Sequence, residues 1–96
     1  MRLYIDTSNK EKIIIKLNGK KFETKAKSGS SQMLLPFIDE ILRKENVTIN
    51  DIKSVEVNTG PGSFTGLRIG VAVANTLGFA LKIPVNGKKS ELEINY

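Results

Sequence analysis

The side chains that could carry out chemistry in this chain are limited to Asp, Glu, Lys, Arg, Tyr, Ser and Thr. The 96 residues include no cysteine and no histidine, which excludes disulfides, thiol nucleophiles, thiolate zinc sites and histidine acid–base catalysis. Asp6, Thr7 and Ser8 form a polar cluster directly after the apolar residues 3–5. A cluster in this position could hold Mg²⁺ and phosphate, or it could be a turn that hydrogen-bonds to its own backbone.

A glycine loop at residues 60–66, Gly-Pro-Gly-Ser-Phe-Thr-Gly, is the second candidate site. The loop precedes a helical pattern, and a helix N-terminus is a favourable place for a phosphate. Its spacing fits neither a P-loop nor the G-x-G-x-x-G dinucleotide motif. Pro61 also removes one amide donor. We therefore favour a structural role for this loop, as a sharp turn with close backbone packing.

Positive charge is concentrated at residues 10–27, where seven lysines and two glutamates give the same net charge of +5 as the whole chain. Residues 12–17 alternate in polarity, and the Asn18-Gly19 turn that follows predicts a β-hairpin. Such lysines could neutralise RNA phosphates. The segment has no arginine, however, and its one aromatic residue, Phe22, is predicted to face the core. A solvated sheet edge protected by lysines is therefore the favoured interpretation.

The elements that must position these residues form a mixed α/β domain in the order β-β-β-α-β-α-β. Residues 3–5, the two arms of the hairpin, Val55 with Val57, and residues 83–85 predict five strands. Two runs at helical spacing predict the two main helices. A chain of 96 residues makes one domain. No signal peptide is expected, and the longest apolar run, residues 69–81, is shorter than a membrane span, so we expect a soluble cytoplasmic protein.

The second helix, predicted from about residue 65 to residue 81, is apolar on every side except for Arg68. Four small residues recur at every fourth position and form one smooth stripe, here called the small-residue ridge: Gly66, Gly70, Ala74 and Gly78. Such a stripe lets another backbone approach closely. The ridge could pack on the sheet or first helix of this chain, or on a helix of another protein. Because an entirely apolar helix needs cover on all sides, we expect an exposed apolar patch that marks an interaction site.

Three segments resemble the TsaB (also called YeaZ) family in order and spacing. They are Ile-Asp-Thr-Ser at residues 5–8, Ser-Gln-Met-Leu-Leu-Pro-Phe-Ile-Asp at 31–39, and Gly-Pro-Gly-Ser-Phe-Thr-Gly-Leu-Arg-Ile-Gly at 60–70. Residues 83–87 and 90–93 are similar to the stretch that follows in that family. The resemblance implies an actin-like (ASKHA, ribonuclease H-like) lobe and a role in making tRNA N6-threonylcarbamoyladenosine.

The resemblance also implies a scaffold without catalytic residues, cofactor or metal. Such a scaffold supports a TsaD-like catalytic subunit together with a TsaE-like ATPase and forms a homodimer when alone. Its contact with tRNA is only indirect. The implied partner interface lies on the two helices and comprises Leu34, Phe37, Ile38, Ile41, Gly66, Arg68, Gly70, Val73, Ala74, Leu77 and Gly78. Asp6, Thr7 and Ser8 would be at most a vestigial phosphate site.

The family has a second lobe, so residues 1–96 correspond to its N-terminal lobe, with residues 88–96 expected as a frayed tail. The family usually has histidine where this chain has Ser30, so no role of that histidine is carried over. Two other functions stay open. One is a nucleotide-binding phosphotransferase half that uses Asp6 and Thr7, although the second wall of its cleft is absent. The other is a basic RNA-binding module.

Overall fold

The computed structural model describes residues 1–26 and 30–87, without the side chains of Ser30 and Ser31. The expected frayed tail at 88–96 lies outside the described residues. The strands are β1 (Arg2–Asp6), β2 (Lys12–Leu17), β3 (Lys20–Lys25) and β4 (Ser54–Val57); the helices are α1 (Ser30–Lys44) and α2 (Phe64–Leu81), and a short 3-10 turn spans Ile49–Asp51.

The four strands form one mixed sheet in the order β3-β2-β1-β4. β1 is antiparallel to β2 and parallel to β4, and β2 is antiparallel to β3. The hairpin prediction is confirmed, since Asn18 and Gly19 both have positive φ, 51° and 86°, as a type I′ turn requires. The parallel β1–β4 pair requires a crossover, which α1 supplies.

One face of the sheet is buried and the other is open. The buried face is built from alternating strand residues that are almost fully inaccessible: Leu3, Ile5, Ile13, Ile15, Leu17, Val55 and Val57. Both helices pack on this face and on each other. The opposite face, here called the outer face, carries the intervening residues of the same strands, which are mostly polar or charged. The described residues therefore form two layers, one of strands and one of helices.

The prediction of a fifth strand at residues 83–85 is wrong. Val85 makes a single parallel bridge to Val55 instead, with backbone hydrogen bonds of 3.0 Å from Val55 to Pro84 and 2.8 Å from Asn86 to Val55. Lys82 ends α2 in the left-handed conformation, and Asn86 and Gly87 turn the chain again. Too few residues remain between these two turns to form a ladder.

We expect two alanines on α2 to respond oppositely to the same substitution. Ala74 is fully buried against the sheet, whereas Ala72, half a turn away, is exposed. Ala74→Leu forces a larger side chain into a packed core and should lower the free energy of unfolding by about 1–3 kcal/mol. Ala72→Leu should change it by less than about 0.5 kcal/mol.

Urea unfolding of both variants, followed by circular dichroism, measures this difference. Equal stability of the two variants would contradict the placement of α2 on the sheet.

Candidate functional site

The small-residue ridge packs inside its own chain. An added methyl at Gly66 would overlap the carbonyl oxygen of Thr7, and one at Gly70 would overlap the hydroxyl of the same threonine. At the other end of α2, a methyl at Gly78 would overlap the side chain of Val85. The ridge thus packs against the end of β1 and against Val85, and its assignment to a partner interface is corrected.

Most of the predicted interface residues are buried in the same way. Eight of the eleven lie in the core of the chain: Leu34, Ile38, Ile41, Gly66, Gly70, Ala74, Leu77 and Gly78. Of the others, Arg68 is exposed, and Phe37 and Val73 are half-buried. Sequence reasoning placed the wrong residues at the surface because both sides of α2 are apolar, so periodicity does not tell which side meets the sheet.

The side of α2 that faces away from the sheet remains open to solvent. It consists of seven exposed residues, here called the α2 surface: Phe64, Thr65, Arg68, Ala72, Thr76, Phe79 and Ala80. Phe79 is 89% exposed and Phe64 52% exposed. Arg68 is the only charged residue among the seven, and its guanidinium lies 5.4 Å from the centre of the Phe64 ring. By length and composition α2 could also cross a membrane, but its ridge is packed on the sheet.

A shallow apolar groove lies at the end of α1 beside the Ile49–Asp51 turn. Leu35, 54% exposed, and Ile49, 38% exposed, stand on its two sides. An ion pair of 3.0 Å between Asp39 and Arg43 borders the groove. The helix layer thus offers exposed apolar side chains on both helices.

The Asp6 cluster is a hydrogen-bonded turn. One Asp6 carboxylate oxygen accepts hydrogen bonds from the Ser8 amide at 2.9 Å, the Ser8 hydroxyl at 2.6 Å and the Asn58 amide group at 3.3 Å. The Tyr4 hydroxyl donates to the other oxygen at 3.4 Å. Thr7 is fully buried, and its hydroxyl donates to the carbonyl of Gly66. Each of the three side chains of the proposed phosphate site is therefore engaged with the protein itself.

These hydrogen bonds determine the protonation of Asp6. Partial burial raises the pKa of its carboxyl, but the donors from Ser8, Asn58 and Tyr4 favour the carboxylate and together hold the pKa below its ordinary value of 3.8. The pKa of the Tyr4 phenol is raised by burial and by the adjacent Asp6 charge.

Three amides of the glycine loop, those of Gly60, Ser63 and Gly66, donate hydrogen bonds within the protein. The Ser63 amide donates to the carbonyl of Ser8 at 2.7 Å, and the Gly60 amide donates to the Asn58 side chain at 3.0 Å. The Ser63 hydroxyl accepts from the Gly66 amide and caps α2. Gly62 lies so close to Ser8 that a side chain would overlap it. This geometry agrees with the structural role predicted for the loop, because amides used this way are not available to a phosphate.

Within residues 1–26 and 30–87, no group of three or more carboxylate, histidine or cysteine side chains is placed to hold a metal ion. Four donor groups from Tyr4, Ser8 and Asn58 surround Asp6, and no second carboxylate joins them in the hydrogen-bond network of that turn. The cluster thus has the chemistry of a strand-end turn, in which a carboxylate satisfies backbone and side-chain donors.

The strand order β3-β2-β1-β4, the parallel β1–β4 pair and the two helices on one face match an actin-like lobe of the ribonuclease H type. The solved structure of YeaZ from Pseudomonas aeruginosa superposes with a TM-score of 0.72 and 30% identity, over 88% of this chain and 41% of that one. A family model described as TsaD: tRNA N6-adenosine threonylcarbamoyltransferase matches residues 22–90. The chain belongs to this family, and within it to the TsaB/YeaZ proteins that it resembles.

Curated relatives carry the same names. The tRNA threonylcarbamoyladenosine biosynthesis protein TsaB of Bacillus subtilis is 35% identical over 92% of this chain and 40% of its own length. TsaB of Buchnera aphidicola subsp. Baizongia pistaciae is 47% identical over 53% of this chain and 23% of its own length. A tRNA N6-adenosine threonylcarbamoyltransferase of Nitrosospira multiformis is 43% identical over 56% of this chain and 16% of its own. The chain thus spans less than half the length of these curated relatives.

We expect Asp6→Asn to lower the free energy of unfolding by about 1 kcal/mol at pH 7, because an amide group would then face the donors of Asn58 and Tyr4. A depressed pKa in the folded state stabilises the fold above the unfolded pKa, and this contribution is lost as the pH falls through the folded pKa. The difference from the parent chain should therefore narrow below about pH 4.

Asp39→Asn is the matched control, since its exposed pair with Arg43 should contribute little at either pH. Urea unfolding at pH 7 and pH 3 measures both variants. A difference for Asp6→Asn that does not change with pH would contradict the role assigned to the carboxylate.

We expect no micromolar binding of ATP–Mg²⁺ by isothermal titration calorimetry, because the Asp6 carboxylate and the amides of Gly60 and Ser63 are engaged within the protein. Micromolar binding that disappears in Asp6→Ala would contradict this and would support the phosphotransferase alternative.

Proposed function

We propose that this chain acts in the biosynthesis of tRNA N6-threonylcarbamoyladenosine as a non-catalytic partner that binds a TsaD-like catalytic subunit through its helix layer. The α2 surface is the observation that carries the proposal. A helix at the surface of a soluble protein normally carries charged or polar residues on its wet side. The α2 surface has one charge among seven exposed residues and presents Phe79 almost completely to solvent.

The chemistry of the α2 surface favours a protein partner. Alanine and threonine side chains let a second helix approach closely, and the phenylalanines provide large apolar area to bury. Full burial of one such ring contributes about 1.5–3 kcal/mol. Arg68, in contact with Phe64, provides a charge that can pair at the rim of an interface.

The comparisons favour a TsaD-like subunit as this partner. Relatives of the chain are named as biosynthesis proteins of the modified nucleoside, and one relative is the transferase itself. A transferase with a similar lobe would present a helix equivalent to α2, so the two proteins could pair through equivalent surfaces. A TsaE-like ATPase would act in the same complex, in the cytoplasm. A second copy of this chain could occupy the same surface when the subunit is absent.

A non-catalytic role agrees with the structural hydrogen bonds that occupy the polar residues at the end of β1 and in the glycine loop. Asp6 and Ser8 complete a turn, Thr7 anchors α2, and the amides of Gly60 and Ser63 in the glycine loop donate within the protein. These contacts argue against the nucleotide-binding alternative, because a bound phosphate would have to displace them.

We expect Phe79→Asp to weaken binding to a TsaD-like subunit by roughly 30-fold or more, since loss of a central aromatic anchor typically costs about 2 kcal/mol or more. The fold should be retained because the ring is 89% exposed. Size-exclusion chromatography with light scattering measures the complex, and circular dichroism measures the fold.

Lys25→Gln is the control, because it lowers the net charge by the same amount at an exposed position on the outer face. In cells that lack TsaB, mass spectrometry of tRNA nucleosides should show whether the chain restores the modification. A Phe79→Asp variant that binds and restores as well as the parent would refute the assignment of the interface to α2.

A further inference from the structure

The lysines of the hairpin are arranged in like-charged pairs on the outer face of the sheet. Lys12 is directly opposite Lys25, and Lys16 is directly opposite Lys21. Cross-strand neighbours of the same charge repel each other and destabilise a sheet. The two pairs lie four residues apart along the strands, a distance of about 13 Å. The register therefore places four lysines at the corners of a rectangle on the outer face of the hairpin.

Protection of the sheet edge explains only half of this arrangement. Lysines on an edge strand discourage pairing with other sheets, which accounts for Lys21 and Lys25 on β3. Lys12 and Lys16 lie on β2, which is an interior strand between β3 and β1. A residue in the interior of the sheet has no edge to protect, so the two β2 lysines need another reason.

The positive charge of the four hairpin lysines is only partly compensated by acidic residues on the outer face. Glu23 lies between the lysine pairs, 3.6 Å from Lys21 and 4.0 Å from Lys12. Lys16 lies over the Tyr4 ring, 5.5 Å from its centre. Arg2 and Glu56 pair with each other at 3.2 Å on the β1–β4 half of the sheet. Within residues 1–26 and 30–87, Asp6 and Glu56 on the same face are engaged with Ser8 and Arg2, so Glu23 is the carboxylate in contact with the lysine pairs. The excess positive charge of the outer face is therefore on the hairpin.

Resting on the proposed function, we infer that the rectangle formed by Lys12, Lys16, Lys21 and Lys25 binds the phosphate backbone of tRNA. Lysine presents a point charge without the planar fork of arginine. The aromatic ring beside the rectangle, Tyr4, is half-buried and covered by Lys16, so it offers little surface for base stacking. Both features favour contact with phosphates over reading of bases. This contact positions the RNA without regard to its sequence.

The location of the rectangle favours RNA over a lipid surface. Membrane-binding faces combine lysines with apolar residues that insert between lipids. The large exposed apolar side chains of the described residues, Leu35, Ile49, Phe64 and Phe79, belong to the helix layer on the opposite side of the sheet. RNA on the outer face and a protein on the α2 surface could consequently be bound at the same time.

Two double variants test the inference, Lys16→Gln/Lys21→Gln and Lys12→Gln/Lys25→Gln. The control is Lys53→Gln/Lys82→Gln, which removes the same charge beside β4 and after α2, far from the hairpin. Binding of labelled tRNA to the chain alone is measured by fluorescence anisotropy between 50 and 200 mM salt. Four phosphate contacts predict that the affinity of the parent falls ~100-fold over this range, and two contacts predict a fall of ~10-fold.

The inference is supported if raising the salt from 50 to 200 mM lowers the tRNA affinity ~10-fold for each hairpin variant and ~100-fold for the parent and the control. If the control loses as much salt dependence as the hairpin variants, the inference is overturned, because binding would then depend on net charge alone. Unchanged salt dependence in both hairpin variants would also overturn it, because their lysines would then make no phosphate contacts. Binding to phosphatidylserine vesicles but not to tRNA would also overturn it and would assign the face to a membrane. Thermal unfolding should show all variants folded, since each hairpin variant removes a like-charged pair.

Complex formation with a TsaD-like subunit, measured on the same variants, separates this inference from the proposed function. Hairpin variants that still form the complex but no longer bind tRNA support both the tRNA inference and the proposed function. The Phe79→Asp variant should bind tRNA as the parent does. The two measurements are therefore independent: the proposed partner interface can be wrong while the tRNA inference stands, and the reverse.

Discussion

The close approach of α2 to the end of β1 determines how the rest of this lobe is arranged. Gly66 and Gly70 bring the helix backbone against Thr7, whose buried hydroxyl donates to the Gly66 carbonyl. Any side chain at these glycines would move the helix away from the sheet. The cost of glycine in a helix, about 1 kcal/mol per residue relative to alanine, is offset by the burial that this approach allows.

The same contact determines which side of α2 faces solvent. Because the small residues meet the sheet, the larger Phe64 and Phe79 are turned outward. An aromatic side chain in this position costs little in the isolated chain but leaves apolar area available to a partner. One side of α2, the small-residue ridge, therefore packs tightly and stabilises the lobe, and the opposite side, the α2 surface, is the one proposed to bind the partner.

The two faces of the molecule differ in their physical character. The helix layer presents apolar side chains, and the outer face of the sheet presents lysines on β2 and β3. The polar residues that sequence reasoning offered as a phosphate site lie where β1 ends. Asp6 and Ser8 close the turn after β1, and the glycine loop hydrogen-bonds to that turn. Residues with the right chemistry for a nucleotide are used here to hold a strand, a loop and a helix together.

The sequence by itself determined the hairpin, the two helices, four of the strands and the family, because these depend on local spacing, turn chemistry and motifs. Asn18-Gly19 requires positive φ at both positions, and residues 60–70 carry a specific motif. The tertiary structure decided which side of α2 is buried, and that residues 83–85 make one bridge and no strand. These features depend on packing and register between distant segments, and an entirely apolar helix has no polar side to indicate its orientation.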